Sequence, residues 1–163
     1  MREHGKLEDT FKPLRFGTSG LRALVTQMTD LECAINTKGF VRFLVELGEL
    51  QPGGSVALGG DLRSSTPRIA AAVKWAIEEE GFAVDYCGAV PSPTLVLYAM
   101  ANGEPSVMVT GSHIPDDRNG IKFSKASGEV LKEDETLILK NVQTAREEVY
   151  SNWSKYGVLS LIH

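Results

Sequence analysis

The sequence predicts a three-layer α/β/α protein in which a four-stranded mixed sheet lies between helices. Short apolar runs alternate along the chain with amphipathic segments of helix length, which indicates a mainly parallel sheet covered on both faces. The last apolar run follows the preceding one with no helix between them, so this strand is expected to run antiparallel. Hydrophobic residues make up 42% of the 163 residues, which suits one domain with a real core.

Local signals set the predicted bounds of each element. Thr29 or Asp30 caps a first helix whose apolar residues recur at helical spacing to about Leu50, although Gly39 weakens it. Hydroxyl residues followed by Pro67 begin a second helix, and a serine–proline pair opens a third. After the first helix, the elements are expected at strand 55–60, helix 67–80, strand 82–87, helix 94–102, strand 106–110, strand 121–124 and helix 133–150.

The connection between the last two strands is dense in reactive groups. An apolar strand at residues 107–109 runs into Thr-Gly, and residues 112–118 carry serine, histidine, two aspartates and an arginine. Asn-Gly at 119–120 breaks the chain again before Ile-Lys-Phe returns as a strand. A tight hairpin turn needs only about two to five residues. The longer connection, called the serine loop (residues 110–120), is therefore a candidate for chemistry.

Three motifs resemble one enzyme family. Residues 110–115 (Thr-Gly-Ser-His-Ile-Pro), followed by Asn-Gly-Ile-Lys at 119–122, are similar to the phosphoserine loop of the alpha-D-phosphohexomutases. Residues 16–22 (Phe-Gly-Thr-Ser-Gly-Leu-Arg) resemble that family's opening motif, and residues 61–66 resemble its Asp-x-Arg-x-Ser-Ser turn. Ile114 stands where the family mostly has Asn. The family includes phosphomannomutases, phosphoglucomutases and phosphoglucosamine mutases.

The resemblance implies the fold of the family's first domain, with the four strands in the order 2-1-3-4. Residues 1–150 are expected to form this domain, and residues 151–163 a linker or tail toward further domains. The sequence lacks the family's Asp-Gly-Asp-Gly-Asp-Arg metal loop, its Gly-Glu-x-Ser-Gly sugar loop and its Arg-Pro-Ser-Gly-Thr-Glu phosphate segment. The remaining domains of the same enzyme are therefore expected partners, and this fragment alone is expected to be inactive.

The resemblance also implies a function. The family interconverts hexose 6-phosphate and hexose 1-phosphate through a phosphoserine and a 1,6-bisphosphate intermediate, and the phosphomannomutase/phosphoglucomutase type is the simplest assignment. The implied cofactors are Mg²⁺, for which Ser112 supplies the ligand from this chain, and glucose or mannose 1,6-bisphosphate as activator. The implied catalytic residues are Ser112, Lys122, His113 and Arg22. The implied substrate- and phosphate-binding residues are Thr18, Ser19, Arg63, Thr110, Gly111, Arg118 and Asn119.

The residue chemistry agrees with phosphoryl transfer but leaves alternatives open. A hydroxyl in a turn rich in backbone N–H groups, near arginines and a lysine, can carry a phosphate. A serine hydrolase is disfavoured, because Ser112 and His113 are adjacent and the pattern is not Gly-x-Ser-x-Gly. Lys122 is either a general acid/base or a charge that protects a short edge strand from aggregation. The turn around Arg63 and the segment before Pro93 could be plain helix starts.

Whole-chain properties exclude some classes of function. The net charge is −4, which disfavours nucleic-acid binding through a general basic surface. No apolar run reaches the length of a membrane span, and the N-terminus lacks the apolar core of a signal peptide. A cytoplasmic protein that takes hexose phosphate is the simplest interpretation. The alternative to a mutase domain is a non-catalytic phosphosugar-binding module or partner subunit.

Overall fold

The structure is a computed structural model that describes residues 13–17 and 19–152. In chain order its elements are β1 (Gly20–Leu24), α1 (Asp30–Glu46), β2 (Ser55–Gly60), α2 (Thr66–Glu79), β3 (Ala83–Ala89), α3 (Ser92–Ala101), β4 (Ser106–Val109), β5 (Arg118–Lys125), β6 (Gly128–Glu129) and α4 (Asp134–Ser151). Most of the predicted linker 151–163 lies outside the described residues.

The strands form one mixed sheet in the order β1-β5-β4-β2-β3, and β6 pairs with β5. The four predicted strands correspond to β2, β3, β4 and β5, and they lie in the predicted order 2-1-3-4. Pairing of β2 with β3 and with β4 is parallel, whereas β4 and β5 are antiparallel. The mixed sheet and the direction of its last predicted strand are therefore confirmed.

The predicted number of strands was wrong, because the described residues form a sheet of six strands rather than four. β1 was missed because its five residues (Gly-Leu-Arg-Ala-Leu) follow a glycine-rich turn and include a central arginine. It runs antiparallel to β5, with Gly20 opposite Lys122 and Leu24 opposite Arg118. β6 has only two residues, too few for an alternating pattern. The addition of β1 places β5 inside the sheet.

Helices cover both faces of the sheet. On one face, α1 packs against α2 and α4, and their apolar side chains join alternate residues of the central strands in the main core. The ring of Phe123 on β5 lies 4.4 Å from that of Phe40 on α1. On the other face, α3 places Leu95 and Ala99 against Ala57 and Met108. This arrangement confirms the three layers.

Local chemistry explains where the helices begin and end. Thr29 caps α1, since its hydroxyl oxygen accepts a hydrogen bond from the backbone N–H of Glu32 at 3.2 Å. The helix ends at Glu46, four residues earlier than Leu50, and the chain then turns through Gly48 with a φ of 74°. Pro67 lies in the first turn of α2, as predicted. Among the residues described, no helix has both the length and the apolar character needed to cross a membrane.

Gly39 is a packing requirement rather than a simple weak point in α1. A Cβ atom at this position would lie 2.6 Å from the Cα atom of Val142 and 2.7 Å from its nitrogen. The backbones of α1 and α4 therefore approach each other closely at Gly39, which has no side chain to keep them apart.

We expect Gly39→Ala to destabilise the chain by about 2 kcal/mol, although alanine is the better helix former by about 1 kcal/mol. The added methyl group would force α4 away from α1. Urea unfolding followed by circular dichroism measures the change in the free energy of unfolding. Ala71→Gly, on the exposed side of α2, measures only the difference in helix propensity between alanine and glycine. A Gly39→Ala variant that is more stable than the wild type would contradict the close packing of α1 and α4.

Candidate active site

A cleft of about 570 Å³ lies beside the serine loop. Its walls are formed by the segment before β1, by β1 itself, by the start of α3, by the serine loop and by β5. Five of the predicted site residues line it: Ser19, Arg22, Thr110, Ser112 and Lys122. The fold thus brings together two motifs that are far apart in the sequence, because β1 pairs with β5 directly after the serine loop.

The cleft is locally positive although the chain is acidic overall. Arg15, Arg22 and Lys122 line it, and its described lining includes no carboxylate. The net charge of the whole chain is −4. Cations gathered in one cleft raise the local concentration of anions and steer them inward. This electrostatic arrangement suits a phosphorylated ligand.

Ser112 has an unusual backbone conformation. Its φ is 55°, and no other non-glycine residue in the described part of the chain has a positive φ. A non-glycine residue held in this left-handed region costs on the order of 1–3 kcal/mol and persists only where the surroundings impose it. The backbone N–H of Ser112 donates to the hydroxyl oxygen of Thr110 at 3.0 Å, and Ser112 itself is exposed. The turn therefore presents a serine hydroxyl at the cleft at a conformational cost.

Lys122 is half-buried on β5 and lies between two strands. It lies opposite Gly20 where β5 pairs with β1, and opposite Met108 where β5 pairs with β4. The interpretation of Lys122 as a protective charge on an edge strand was therefore wrong, since β1 forms the edge. A Cβ atom at Gly20 would overlap the carbonyl oxygen of Ile121, so only glycine allows β1 to approach β5 this closely.

Asn119 and Gly111 lie at the serine loop but outside the described lining of the cleft. The Asn119 side chain is fully buried and donates to the hydroxyl oxygens of Ser65 at 2.8 Å and Thr66 at 3.1 Å. It thereby ties the start of α2 to β5. The backbone N–H of Gly111 donates to the carboxylate of Asp61 at 2.9 Å. Both contacts hold the serine loop to the segment that leads from β2 into α2.

Arg63 also faces the loop. Its guanidinium donates to the backbone carbonyl oxygens of Ser112, Ile114, Pro115 and Arg118. It is not among the described residues that line the cleft.

The other predicted site residues show less evidence of a role in the site. His113 and Arg118 are exposed, and neither belongs to the described lining of the cleft. Arg118 joins the loop through its backbone, since its N–H donates to the carbonyl oxygen of Pro115 at 3.0 Å. Thr18 lies outside the described residues, so its predicted role stays a prediction.

Three residues at the site were missed as candidates. Arg15 and Ser92 line the cleft, and Asp61 holds the serine loop. Ser92 is the first residue of α3, and its serine–proline pair was interpreted as a helix cap, but the cap residue is Pro91 and no side chain caps this helix. Asp61 had a signal, because it follows a central strand at the carboxyl end, where ligands of α/β sheets gather. Arg15 directly precedes the first motif and had no separate signal.

Asp61 accepts several hydrogen bonds within the site. Partial burial raises the pKa of its carboxyl group, but hydrogen bonds from the Thr66 hydroxyl, the backbone N–H groups of Gly111 and Arg63, and the Thr110 hydroxyl outweigh this effect. The pKa of Asp61 therefore lies below its ordinary value, and its carboxylate is charged at neutral pH.

Comparisons with known proteins agree with this geometry. The family model of phosphoglucomutase/phosphomannomutase, alpha/beta/alpha domain I, matches residues 13–149. A phosphomannomutase of Sinorhizobium fredii is 44% identical over 124 residues, covering 76% of this chain and 26% of that protein. A protein of Methanopyrus kandleri described as a "probable phosphoglucosamine mutase" is 34% identical over 143 residues, covering 87% of this chain and 30% of its own length.

A solved structure has the same fold. The crystal structure of a protein from Thermus thermophilus described as a phosphomannomutase superposes with a TM-score of 0.71 at 30% sequence identity, over 80% of this chain and 30% of that one. The chain thus spans about a quarter to a third of the length of the relatives that it matches. The match to the family model over residues 13–149 shows that the chain belongs to the phosphoglucomutase/phosphomannomutase family, as its α/β/α domain I.

Proposed function

We propose that this chain is the phosphoserine-bearing domain of a phosphohexomutase that interconverts hexose 6-phosphate and hexose 1-phosphate. The observation that carries the proposal is the placement of Ser112, whose left-handed turn lines a cleft with Arg15, Arg22 and Lys122. A hydroxyl among cations and backbone N–H groups suits a serine that carries and transfers a phosphoryl group.

In the proposed reaction, phosphorylated Ser112 gives its phosphoryl group to a free hydroxyl of a hexose monophosphate. The bond between phosphorus and the Ser112 oxygen breaks, and a new bond forms to O1 or O6 of the sugar. The resulting 1,6-bisphosphate reorients and returns its other phosphoryl group to Ser112, which leaves the isomeric monophosphate. The arginines stabilise the charge on the transferring group, as in other phosphoryl transfers.

Lys122 handles the proton in this proposal. Its ammonium accompanies Ser112 in the cleft, half-buried on a strand that pairs on both sides. In its neutral form it accepts the proton of the attacking sugar hydroxyl, and in the second transfer it returns a proton to the other sugar oxygen, which is then the leaving group. His113, exposed beside Ser112, is proposed to contact the phosphate or the sugar once further domains close over the site.

The described part of this chain does not form a magnesium site by itself. The described residues include no group of three or more histidine, cysteine, aspartate or glutamate side chains placed to hold a metal ion. Ser112 offers a single oxygen, whereas Mg²⁺ takes about six ligands in octahedral geometry. We therefore assign the magnesium ligands of the enzyme mainly to a further domain, with Ser112 as the ligand from this chain.

A second candidate function is a phosphosugar-binding module without catalysis. The observation that favours it is the cationic cleft, which Arg15, Arg22 and Lys122 line and whose described lining includes no carboxylate. The cationic cleft alone can bind an anion, but transfer requires groups that close over the other side of the sugar. The two functions differ in whether Ser112 ever becomes phosphorylated.

We expect Ser112 to acquire phosphate from glucose 1,6-bisphosphate and Mg²⁺ when a fragment carrying the remaining domains is present. The chain alone is expected to remain unmodified, because it supplies only part of the transfer site. Intact mass and phosphopeptide mapping of the chain detect the product. Ser112→Ala is expected to remove the modification completely, because no hydroxyl is left to accept the phosphoryl group.

The controls separate the two functions. Ser106→Ala, at a buried serine on β4, is expected to leave the phosphorylation of Ser112 in place. If Ser112 stays unmodified with a fragment that supports turnover when joined to an authentic first domain, the mutase proposal fails. Binding of hexose phosphate by calorimetry in that case would favour the binding module.

A further inference from the structure

We propose that Asp61 and Arg63 are positioning residues that hold the serine loop in the conformation that presents Ser112. Neither is assigned to contact substrate in this proposal. The effect on phosphorylation rests on the proposed function, whereas the effect on loop conformation does not. Together the two side chains are called the Asp61–Arg63 clamp.

Arg63 directs its donors at the loop backbone. One terminal nitrogen donates to the carbonyl oxygens of Pro115 at 2.7 Å and Arg118 at 3.1 Å. The other donates to the carbonyl oxygens of Ser112 at 3.3 Å and Ile114 at 2.5 Å. Of the roughly five N–H donors of a guanidinium, the loop thus takes all those on the two terminal nitrogens. Its planar fork can span several carbonyl groups in a way that an ammonium cannot.

Asp61 faces the remaining donor and holds the other side of the loop. One carboxylate oxygen of Asp61 lies 3.4 Å from the Arg63 Nε atom, and it accepts from the Thr110 hydroxyl at 3.1 Å and the Gly111 N–H at 2.9 Å. The other oxygen accepts from the backbone N–H of Arg63 at 3.1 Å and from the Thr66 hydroxyl. The carboxylate thus links the end of β2, the start of α2 and the serine loop.

Gly111 shows how closely the clamp fits the backbone. A Cβ atom at this position would overlap the Cζ and Nε atoms of Arg63. The guanidinium therefore packs directly against the loop at the residue before Ser112. This close approach accounts for the glycine, whose φ is not in the left-handed region.

The contacts bracket the strained residue. Ser112, with a φ of 55°, lies between Gly111, held by Asp61, and Ile114, held by Arg63. Left-handed conformations of non-glycine residues persist where surrounding contacts over-determine them. Because every guanidinium donor already faces the loop or Asp61, Arg63 has no donor left for a bound phosphate in this conformation. The geometry therefore assigns it a positioning role.

Hydrogen exchange of the serine-loop amides, measured by mass spectrometry on the 163-residue chain, tests the proposal. In Arg63→Ala we expect residues 111–118 to exchange at least about tenfold faster than in the wild type, while α1 keeps its exchange rates. Guanidinium ion at about 50 mM, far below denaturing concentrations, is expected to fill the vacated space and restore slow exchange. Methylammonium at equal ionic strength is expected not to restore it.

Arg68→Ala is the matched control. Arg68 lies on α2 and also donates to backbone carbonyl oxygens, those of Met28 and Val25, and it pairs with Asp30. Its loss is expected to loosen the connection between β1 and α1 and leave the serine loop unchanged. Arg63→Lys is the second variant, should Arg63→Ala not fold. It keeps the charge without the fork, and we expect it to accelerate exchange in the loop as well.

The outcomes distinguish this proposal from the proposed function. Unchanged loop exchange in the Arg63 variants, or acceleration spread equally over α1, would overturn the clamp. With the remaining domains present, we expect Arg63→Ala to slow the phosphorylation of Ser112 at least about tenfold, with recovery on addition of guanidinium. Equal rates of phosphorylation in wild type and Arg63→Ala would also overturn it. Absence of phosphate on Ser112 in the wild type would count only against the proposed mutase function and not against the clamp.

Discussion

Replacing Lys122 with methionine should lower the turnover of the assembled enzyme by about 10²–10⁴-fold, the range typical of a lost general acid/base. Lys122 lines the cleft with Ser112 and lies on β5, which pairs with β1 and β4. Methionine keeps much of the length of the side chain and removes the amine. We expect the dissociation constant for hexose phosphate to change much less than the turnover, because Arg15 and Arg22 still line the cleft. Steady-state kinetics and calorimetry, with the remaining domains present, measure the two quantities.

Two further variants decide what Lys122 contributes. Lys122→Arg keeps the positive charge but cannot give up its proton at accessible pH, so turnover should stay low if proton transfer is the role. Recovery of turnover in Lys122→Arg would show instead that charge alone matters. Lys140→Met, at an exposed position on α4, controls for the loss of a lysine, and we expect normal turnover.

The location of Lys122 shows which features of the site the sequence could predict and which it could not. Its motif and that of Ser112 predicted one site, and the two residues do line the same cleft. The edge-strand alternative arose because β1 was not predicted. A five-residue strand with a central arginine carries little periodicity, and its antiparallel pairing with β5 is what identifies it as a strand.

Arg63 and Asn119 illustrate a second limit. The motifs predicted a phosphate-binding role for both, but a motif does not say which way a side chain points. Arg63 donates to carbonyl oxygens of the loop, and Asn119 bonds Ser65 and Thr66 in the interior. Donor direction depends on tertiary packing between α2 and the loop, which a local pattern does not encode. Phosphate contact and loop support are therefore indistinguishable at the level of sequence.

Lys38 illustrates a third limit, since periodicity treats a lysine in a helix as a surface residue. In the structure its side chain is only 2% exposed, its ammonium lies 3.0 Å from a carboxylate oxygen of Glu80, and it also lies 5.3 Å from the ring centre of Trp75. Glu80 follows α2 and accepts two hydrogen bonds from Arg42 as well. The core between α1 and α2 thus contains a charged group that is paired with this glutamate.

Glu80→Ala should therefore destabilise the chain by about 3 kcal/mol at pH 7, because it removes a carboxylate partner of a buried ammonium. Urea unfolding measures the change in the free energy of unfolding. Glu78→Ala, in the last turn of α2 and two residues before Glu80, is the matched control. Glu78 pairs with Lys74 at 3.1 Å, but both side chains are about half exposed, at 49% and 52%. Loss of that surface pair is expected to cost about 0.5 kcal/mol or less.

The pH dependence of the difference tests whether charge is the cause. Burial raises the pKa of Glu80, but hydrogen bonds and attraction from Arg42 and Lys38 outweigh it, so the pKa lies below the ordinary value of 4.5. A lowered folded-state pKa means that the stabilisation is complete above the unfolded-state pKa and disappears as pH falls through the folded-state value. The gap between wild type and Glu80→Gln should therefore be constant from about pH 7 to about 5 and shrink below about 4. A gap that persists unchanged at about pH 3 would assign the effect of Glu80 to packing instead of charge.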